Sequence, residues 1–270
     1  MPRPADLMDA VASVVTDVSA EAIEPRFSAL TGDQIRTKAP GEVVTVADEQ
    51  AEKLLTDRLQ ALLPAPVVGE EVCARRPSLL GALKTERAWL VDPLDGTANF
   101  VAGSPDWAVM VALVERGEAV ASWIWQPVSR RMYAAESGSG AALDGTPIRV
   151  AAADPAAPPR GAVLRRFLDD ATRARVDRPS VATQLGTVGP GRGCAGVEYP
   201  LLIHGAQDFV LFWRTLPWDH VPGVLLLREA GGSAARPDRS PYRAGDAGGW
   251  GLLAAADART WDRTRDILFA

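Results

Sequence analysis

The segment from Trp89 to Phe100, WLVDPLDGTANF, constrains this chain more than any other. Trp89-Leu90-Val91 reads as the end of a buried strand. Asp92 and Asp95 follow, three positions apart, on a turn built by Pro93 and Gly96. Thr97 then marks a helix start. Carboxylates at a strand end and free N–H groups at a helix start can hold a divalent cation and a phosphate side by side. Phosphate-ester hydrolysis needs that pairing.

With 270 residues, 47% of them apolar, the chain can form one large domain or two tightly packed halves. Its net charge of −5 gives no electrostatic case for nucleic acid or an anionic membrane. Cys73 and Cys194 have no ligand-like spacing and read as reduced thiols of a cytoplasmic protein. Met1 to Leu7 contains Pro2, Pro4 and Asp6, so no secretory leader is expected. No apolar run approaches the ~20 residues of a membrane span.

Leu7, Val11, Val14, Val15, Val18 and Ala22 recur at helical spacing and predict a helix over 6–30. Residues 35–44 are polar and punctuated by Gly and Pro, which suits a hairpin or mobile loop. Thr45 to Asp48 has the spacing of a capping box, with Asp in place of the usual Glu. A helix behind it ends before Pro64. Val67-Val68 is a short apolar piece before Gly69-Glu70-Glu71. Strands are expected over 107–114, 119–125 and 132–135, and Asp144-Gly145 is a hairpin turn signal. The Ala/Pro-rich stretch 151–160 is the expected boundary between an N-terminal half, 1–150, and a C-terminal half, 151–270. The second half should bring helices over 195–205 and 221–230, strands over 208–213 and 251–255, and a final helix after Asp257. The class is mixed α and β.

Four acidic residues stand at the ends of apolar pieces: Glu70, Asp92, Asp95 and Asp219. Taken singly, Asp92–Asp95 is an ordinary acidic turn, Glu70-Glu71 a solvated pair, and Asp219 a helix N-cap. If they converge, their charges require a counter-charge. None of the motifs brings an Arg or Lys with it, so a metal is the economical solution. All-oxygen ligands select Mg²⁺, Mn²⁺ or Ca²⁺.

The blocks Val44–Asp48, Gly69–Glu71, Trp89–Phe100 with Gly103, and Trp218-Asp219 through Glu229–Gly232 resemble, in order and spacing, the inositol monophosphatase family. These are lithium-sensitive, Mg²⁺-dependent sugar-phosphate phosphatases. The resemblance implies a layered α/β/α/β/α fold and two or three Mg²⁺ per site. By position, Glu70, Asp92 and the Leu94 carbonyl would bind one metal, and Asp92, Asp95 and Asp219 a second, with a weaker third beside Glu70. Gly96 and Thr97 would offer backbone N–H groups to the phosphate. Asp48 would bond the Thr97 hydroxyl and help activate the water, together with Glu70. Lys38 matches a lysine of the family's mobile loop. Two metals ~3.5–4 Å apart can clamp the nucleophile and leaving oxygen of an in-line displacement. His204 and His220 are then expendable.

Three departures bear on the substrate. The family's inositol-contacting Glu is Phe212 here, so a ring-hydroxyl acceptor is missing and inositol preference is doubtful. The Gly-Ser/Thr-Ala substrate loop is Gly193-Cys194-Ala195, with a weak thiol donor in place of a hydroxyl. The usual His before Gly103 is Ala102. Trp213 and Arg214 offer a different wall, for an aromatic or more anionic leaving group, or else are a core Trp and a surface Arg. The expected function is Mg²⁺-dependent hydrolysis of a small phosphomonoester by a cytoplasmic enzyme, with no nucleic-acid or membrane partner and a homodimer as the candidate assembly. Alternatives within the class are inositol, histidinol phosphate, fructose 1,6-bisphosphate and 3′-phosphonucleotide hydrolysis. Outside it stand a catalytically idle, metal-stabilised binding protein and a nucleic-acid-associated regulator. The presence of every expected ligand argues against the first, and the net charge against the second.

Overall fold

The Trp89–Phe100 block folds as the end of a strand, a tight turn and a short helix. In the computed structural model, which describes residues 4–39, 42–246 and 251–269, that strand is β4 of the larger sheet. Met1–Arg3, on which the leader expectation partly rests, and Pro40-Gly41 within the expected hairpin lie outside the described residues. Among the described residues the strands form three sheets. A hairpin pairs β1 (Ile35–Ala39) with β2 (Glu42–Thr45). The larger sheet runs in consecutive order through β3 (Val67–Gly69), β4 (Ala88–Asp95), β5 (Ala108–Glu115), β6 (Glu118–Gln126), β7 (Arg131–Glu136), β8 (Gly140–Leu143) and β9 (Thr146–Ile148). The smaller comprises β10 (Gly161–Val163), β11 (Val188–Gly189), β12 (Phe209–Phe212), β13 (Ser233–Ala235) and β14 (Leu252–Ala255), in the order β11-β10-β12-β14-β13.

Alternation along β4 and β5 explains the layers, since successive side chains point to opposite faces. Trp89, Val91, Val109 and Val111 join one core with residues of α1 (Pro4–Val18) and α2 (Val46–Leu62). Leu90, Met110 and Ala112 join a second core with α7 (Ala195–Ile203) and α8 (Pro217–Glu229). That core also takes Val210, Phe212 and Ala254 from the smaller sheet. The opposite face of the smaller sheet, with Leu211 and Leu253, packs on α5 (Asp170–Val176), α6 (Pro179–Ala182) and α9 (Ala258–Phe269). The result is the layered α/β/α/β/α arrangement. Two shorter helices, α3 (Glu70–Arg75) and α4 (Thr97–Val101), follow β3 and β4.

Several boundaries differ from expectation. The first helix stops at Val18, followed by a π turn over Ser19–Ile23 and a 3-10 turn over Glu24–Arg26. Pro25 has no N–H to continue the ladder. Helix α8 begins at Pro217, four residues before the expected start, because proline suits a first helical turn. Its N-cap is Leu216, so Asp219 lies within the first turn. Asp144 and Gly145 take φ of 49° and 76° and join β8 to β9, as the turn signal indicated. Residues 151–160 carry no regular element and run from the larger sheet to the smaller.

Candidate active site

The end of β4 solves a geometric problem. Residues three apart on a regular strand face opposite sides. Here Asp92 pairs with Met110 and Asp95 with Ala108, so β4 carries one extra residue as a bulge at Pro93-Leu94. The bulge turns both carboxylates toward the same cleft, an opening of about 520 Å³. Gly96 then takes φ of +85° as the N-cap of α4. A Cβ there would sit 2.8 Å from the Asp106 carbonyl oxygen, so glycine is required twice over. Asn99 Nδ2 donates to the carbonyls of Asp106 (2.7 Å) and Arg192 (2.8 Å), tying the block to the loop before α7.

Glu70, Asp92 and Asp219 each bring a carboxylate oxygen within 4.8 Å of the others. Glu70 is the first residue of α3, and Gly69 its N-cap. Glu52 of α2 accepts the N–H groups of Glu71 (2.7 Å) and Val72 (2.8 Å) and so fixes the start of α3. Sequence reasoning missed Glu52; the signal was an acid one turn beyond Asp48 on the buried side of α2. Asp219 enters from α8. Asp95 lines the same cleft but stands outside the trio. Its Oδ2 is taken by the Gly196 N–H (2.7 Å) and the Cys194 thiol (3.1 Å).

Burial raises the pKa of every carboxyl here that departs from its ordinary value. Asp92 lies well above the carboxylate range, through burial first and then the charges of Glu70, Asp95 and Asp219. Asp219 does likewise, through burial and then Asp95 and Glu70. Asp95 is pushed up to about 6 by burial, against the Gly196 and Cys194 hydrogen bonds. The donors offered are all oxygen, three carboxylates together with the Leu94 carbonyl at the cleft wall. Such a set fits a hard divalent cation, whose charge would offset the repulsion among the crowded carboxylates.

Beside the trio, Thr97 Oγ1 lies 3.0 Å from Asp48 Oδ1 and 2.9 Å from the Leu94 carbonyl oxygen. The other Asp48 oxygen accepts from the Thr45 N–H (2.8 Å) and hydroxyl (2.6 Å), the capping box read from the sequence. Burial pushes Asp48 up to about 6.

Cations reach the cleft after all, from outside the acidic motifs. Lys38 Nζ donates to Glu70 Oε1 at 3.0 Å and also to Glu71. Arg166 and Arg214 line the wall. The expectation that Trp213 and Arg214 share a wall divides: Trp213 stacks on Phe269, with ring centroids 6.4 Å apart, and only Arg214 faces the cleft. Phe212 is 2% exposed and stacks on Tyr199, so it is a core residue and not a lining one. Gly193, Cys194 and Ala195 do not line the cleft either. Ala102 is the exposed C-cap of α4. His220 is buried and held at about 3 by that burial, with Nδ1 3.3 Å from the Tyr199 hydroxyl and Nε2 3.2 Å from the Arg214 carbonyl oxygen. His204 sits 2.9 Å from the Tyr133 hydroxyl, away from the cleft.

The inositol monophosphatase family model matches residues 5–265. The chain belongs to that family. It is 32% identical over 220 residues to the inositol-1-monophosphatase of Rhizobium meliloti, covering 76% of each chain. Over 194 residues it is 30% identical to the fructose-1,6-bisphosphatase/inositol-1-monophosphatase of Thermotoga maritima, covering 71% of this chain and 70% of that one. The inositol monophosphatase of Zymomonas mobilis superposes with a TM-score of 0.80 at 23% identity, covering all of both chains, and shares the fold. Membership places the chain among the phosphoric monoester hydrolases.

Proposed function

We propose that the protein is a Mg²⁺-dependent phosphatase that hydrolyses a small phosphomonoester by direct attack of water. The observation that carries this reading is the Thr97–Asp48 pair, set beside the Glu70–Asp92–Asp219 trio at the end of β4. Glu70, Asp92, Asp219, the Leu94 carbonyl and the second oxygen of Asp95 would hold two or three Mg²⁺. Bound there, Mg²⁺ would acidify the attacking water and neutralise charge on the phosphoryl and leaving oxygens.

The chain's own groups do the rest. The N–H groups of Gly96 and Thr97 orient the phosphoryl oxygens. Thr97 donates its hydroxyl proton to Asp48, which leaves the Thr97 oxygen free to accept from the water. Glu70 and the Thr97–Asp48 pair align that water and take its proton. Neither His204 nor His220 lines the cleft, so no imidazole acid serves the leaving group. Asp95, with one oxygen bonded to Gly196 and Cys194, presents the other in a fixed direction.

Inositol 1-phosphate is a poor substrate on this reading. Among the described residues, the wall beyond the carboxylate trio and Asp95 offers a ring hydroxyl only two side-chain acceptors, Thr97 and a Glu42 already paired with Arg214. A cytoplasmic homodimer belongs to the same proposal, and light scattering of the purified protein tests the assembly. Phosphate release from a panel of phosphomonoesters, with Mg²⁺ and with chelator, tests the activity. Turnover that survives chelation, or none on any ester with Mg²⁺, overturns it.

A further inference from the structure

The carboxylates and the Gly96–Thr97 turn take the phosphoryl group, and the alcohol half of the ester meets the rest of the wall. There the polar lining side chains, among the described residues, are Lys38, Glu42, Arg166 and Arg214. No amide, aromatic or hydroxyl side chain joins them other than Thr97 itself. A neutral polyol is recognised by groups that both donate and accept; a guanidinium or ammonium only donates, and Glu42, the acceptor among these four, is already paired with Arg214. Its planar fork matches a carboxylate or a phosphate.

These guanidiniums are held in place. Arg214 lies 4.0 Å over the Phe167 ring, and Arg166 lies 4.7 Å from the same ring, so one aromatic anchors both. The backbone under Arg214 is fixed as well, since its carbonyl meets His220 Nε2 at 3.2 Å. His220 in turn packs on Phe212, with ring centroids 4.5 Å apart. The buried Phe212 therefore contributes indirectly, as part of the support for Arg214. Arg214 is paired with Glu42, carried on the hairpin strand β2. An anionic group is thus already seated on this guanidinium, and it comes from a segment at the cleft's edge.

We infer that the alcohol half of the substrate carries a second anionic group, a carboxylate or a phosphate, which Arg214 binds in place of Glu42, with Arg166 on the same wall. This rests on the phosphomonoesterase reading and adds the substrate class to it. Arg214 determines specificity, and Glu42 competes with the substrate for it.

The test compares kcat/KM with Mg²⁺ for glycerol 1-phosphate, 3-phosphoglycerate and fructose 1,6-bisphosphate, with p-nitrophenyl phosphate as a control ester. At least one of the two anionic alcohols should exceed glycerol 1-phosphate by about tenfold or more, chiefly through KM. Which of them wins separates a carboxylate from a second phosphate. Arg214→Gln should cut that preference about fivefold or more, and Arg214→Lys, which keeps the charge but loses the fork, should cut it less. Glu42→Gln should move it the other way by lowering KM for the anionic substrate. Melting curves of each variant report folding, and the opposite sign of Glu42→Gln keeps the test open if Arg214→Gln does not fold. Equal efficiency on glycerol 1-phosphate overturns the inference. So does an equal loss on all substrates in Arg214→Gln, which assigns Arg214 to the transferred phosphoryl group, or an unchanged preference in Glu42→Gln. A protein that cleaves none of the four esters overturns the phosphatase reading beneath it.

Discussion

The Thr97 hydroxyl reaches the Asp48 carboxylate at 3.0 Å across 49 positions of sequence, joining the start of α4 to the start of α2. Asp48 serves both helices: one oxygen closes the capping box of α2 and the other meets Thr97. The cap fixes the carboxylate, and the fixed carboxylate directs the hydroxyl. Thr97→Val removes the hydroxyl at nearly constant shape. It should lower kcat by at least ~10²-fold with little change in KM, the scale of a lost general base. Thr97→Ser, which keeps the hydroxyl, should stay within about tenfold of wild type. Steady-state kinetics of the two variants check this; equal losses in both would make Thr97 a packing residue.

Asp92 sits at the end of β4 and feels the charges of Glu70, Asp95 and Asp219. Asp92→Asn keeps the shape and the Leu94 N–H contact at 3.0 Å but removes the charge. Turnover with Mg²⁺ should fall at least ~10³-fold, the scale of losing a major electrostatic group in the transition state. Retention of more than a tenth of wild-type activity would falsify its central place.

Much of this site was legible because it is local. Strand, turn and helix within Trp89–Phe100, the capping box at Thr45–Asp48 and the Asp144-Gly145 hairpin each depend on a few adjacent residues. The convergence of Glu70, Asp92 and Asp219 was legible through resemblance, since no periodicity specifies which strand ends meet. Contacts that depend on side-chain packing were not legible. Phe212 occupies a family contact position yet turns inward, because β12 is buried on both faces and stacks it on Tyr199. Lys38 was matched through resemblance, but its pairing with Glu70 and Glu71 was not legible, and Arg214 reaches the cleft from an element that no motif carries. Strands of two or three residues such as β11 and β13 are too short to show a period.

The core position of Phe212 changes what its substitution should do. Replacing a missing acceptor with Phe212→Glu looks like a route to inositol recognition. In the structure the new carboxyl would be buried against Tyr199 and His220, with no cation among its ring neighbours. An unpaired buried charge costs at least ~3 kcal/mol, and for a chain of this size each kcal/mol lowers the melting point by roughly 2–4 °C. Phe212→Glu should therefore melt several degrees lower and gain no turnover on inositol 1-phosphate. A variant as stable as wild type with improved inositol phosphate hydrolysis would move Phe212 to the cleft wall.

Stability against pH tests the acidic cleft without any substrate. Burial is the first cause that raises Asp48 and Asp95 to about 6, Glu71 to about 7, and Asp92 and Asp219 well above the ordinary range. Their folded values exceed the unfolded ones, so these five carboxyls hold more protons in the folded chain between about pH 4 and 7; they outnumber buried His220, whose lowered value acts oppositely, and stability falls as pH rises through that window. In chelator the protein should melt lower near pH 7.5 than near pH 5. Mg²⁺ needs the carboxylates ionised, so its gain should be larger near pH 7.5. At about 10–100 times its dissociation constant that gain is about 1.4–2.7 kcal/mol per site, a rise of several degrees. Asp219→Asn removes one repelling charge and one ligand. In chelator near pH 7.5 it should melt no lower than wild type, and its response to Mg²⁺ should shrink. If Asp219 instead only complements the dipole of the first turn of α8, the variant should lose ~0.3–1 kcal/mol in chelator and respond to Mg²⁺ as wild type does. Melting curves of both proteins at the two pH values, with Mg²⁺ and with chelator, separate these outcomes. An undiminished response in Asp219→Asn removes Asp219 from the cation-binding set.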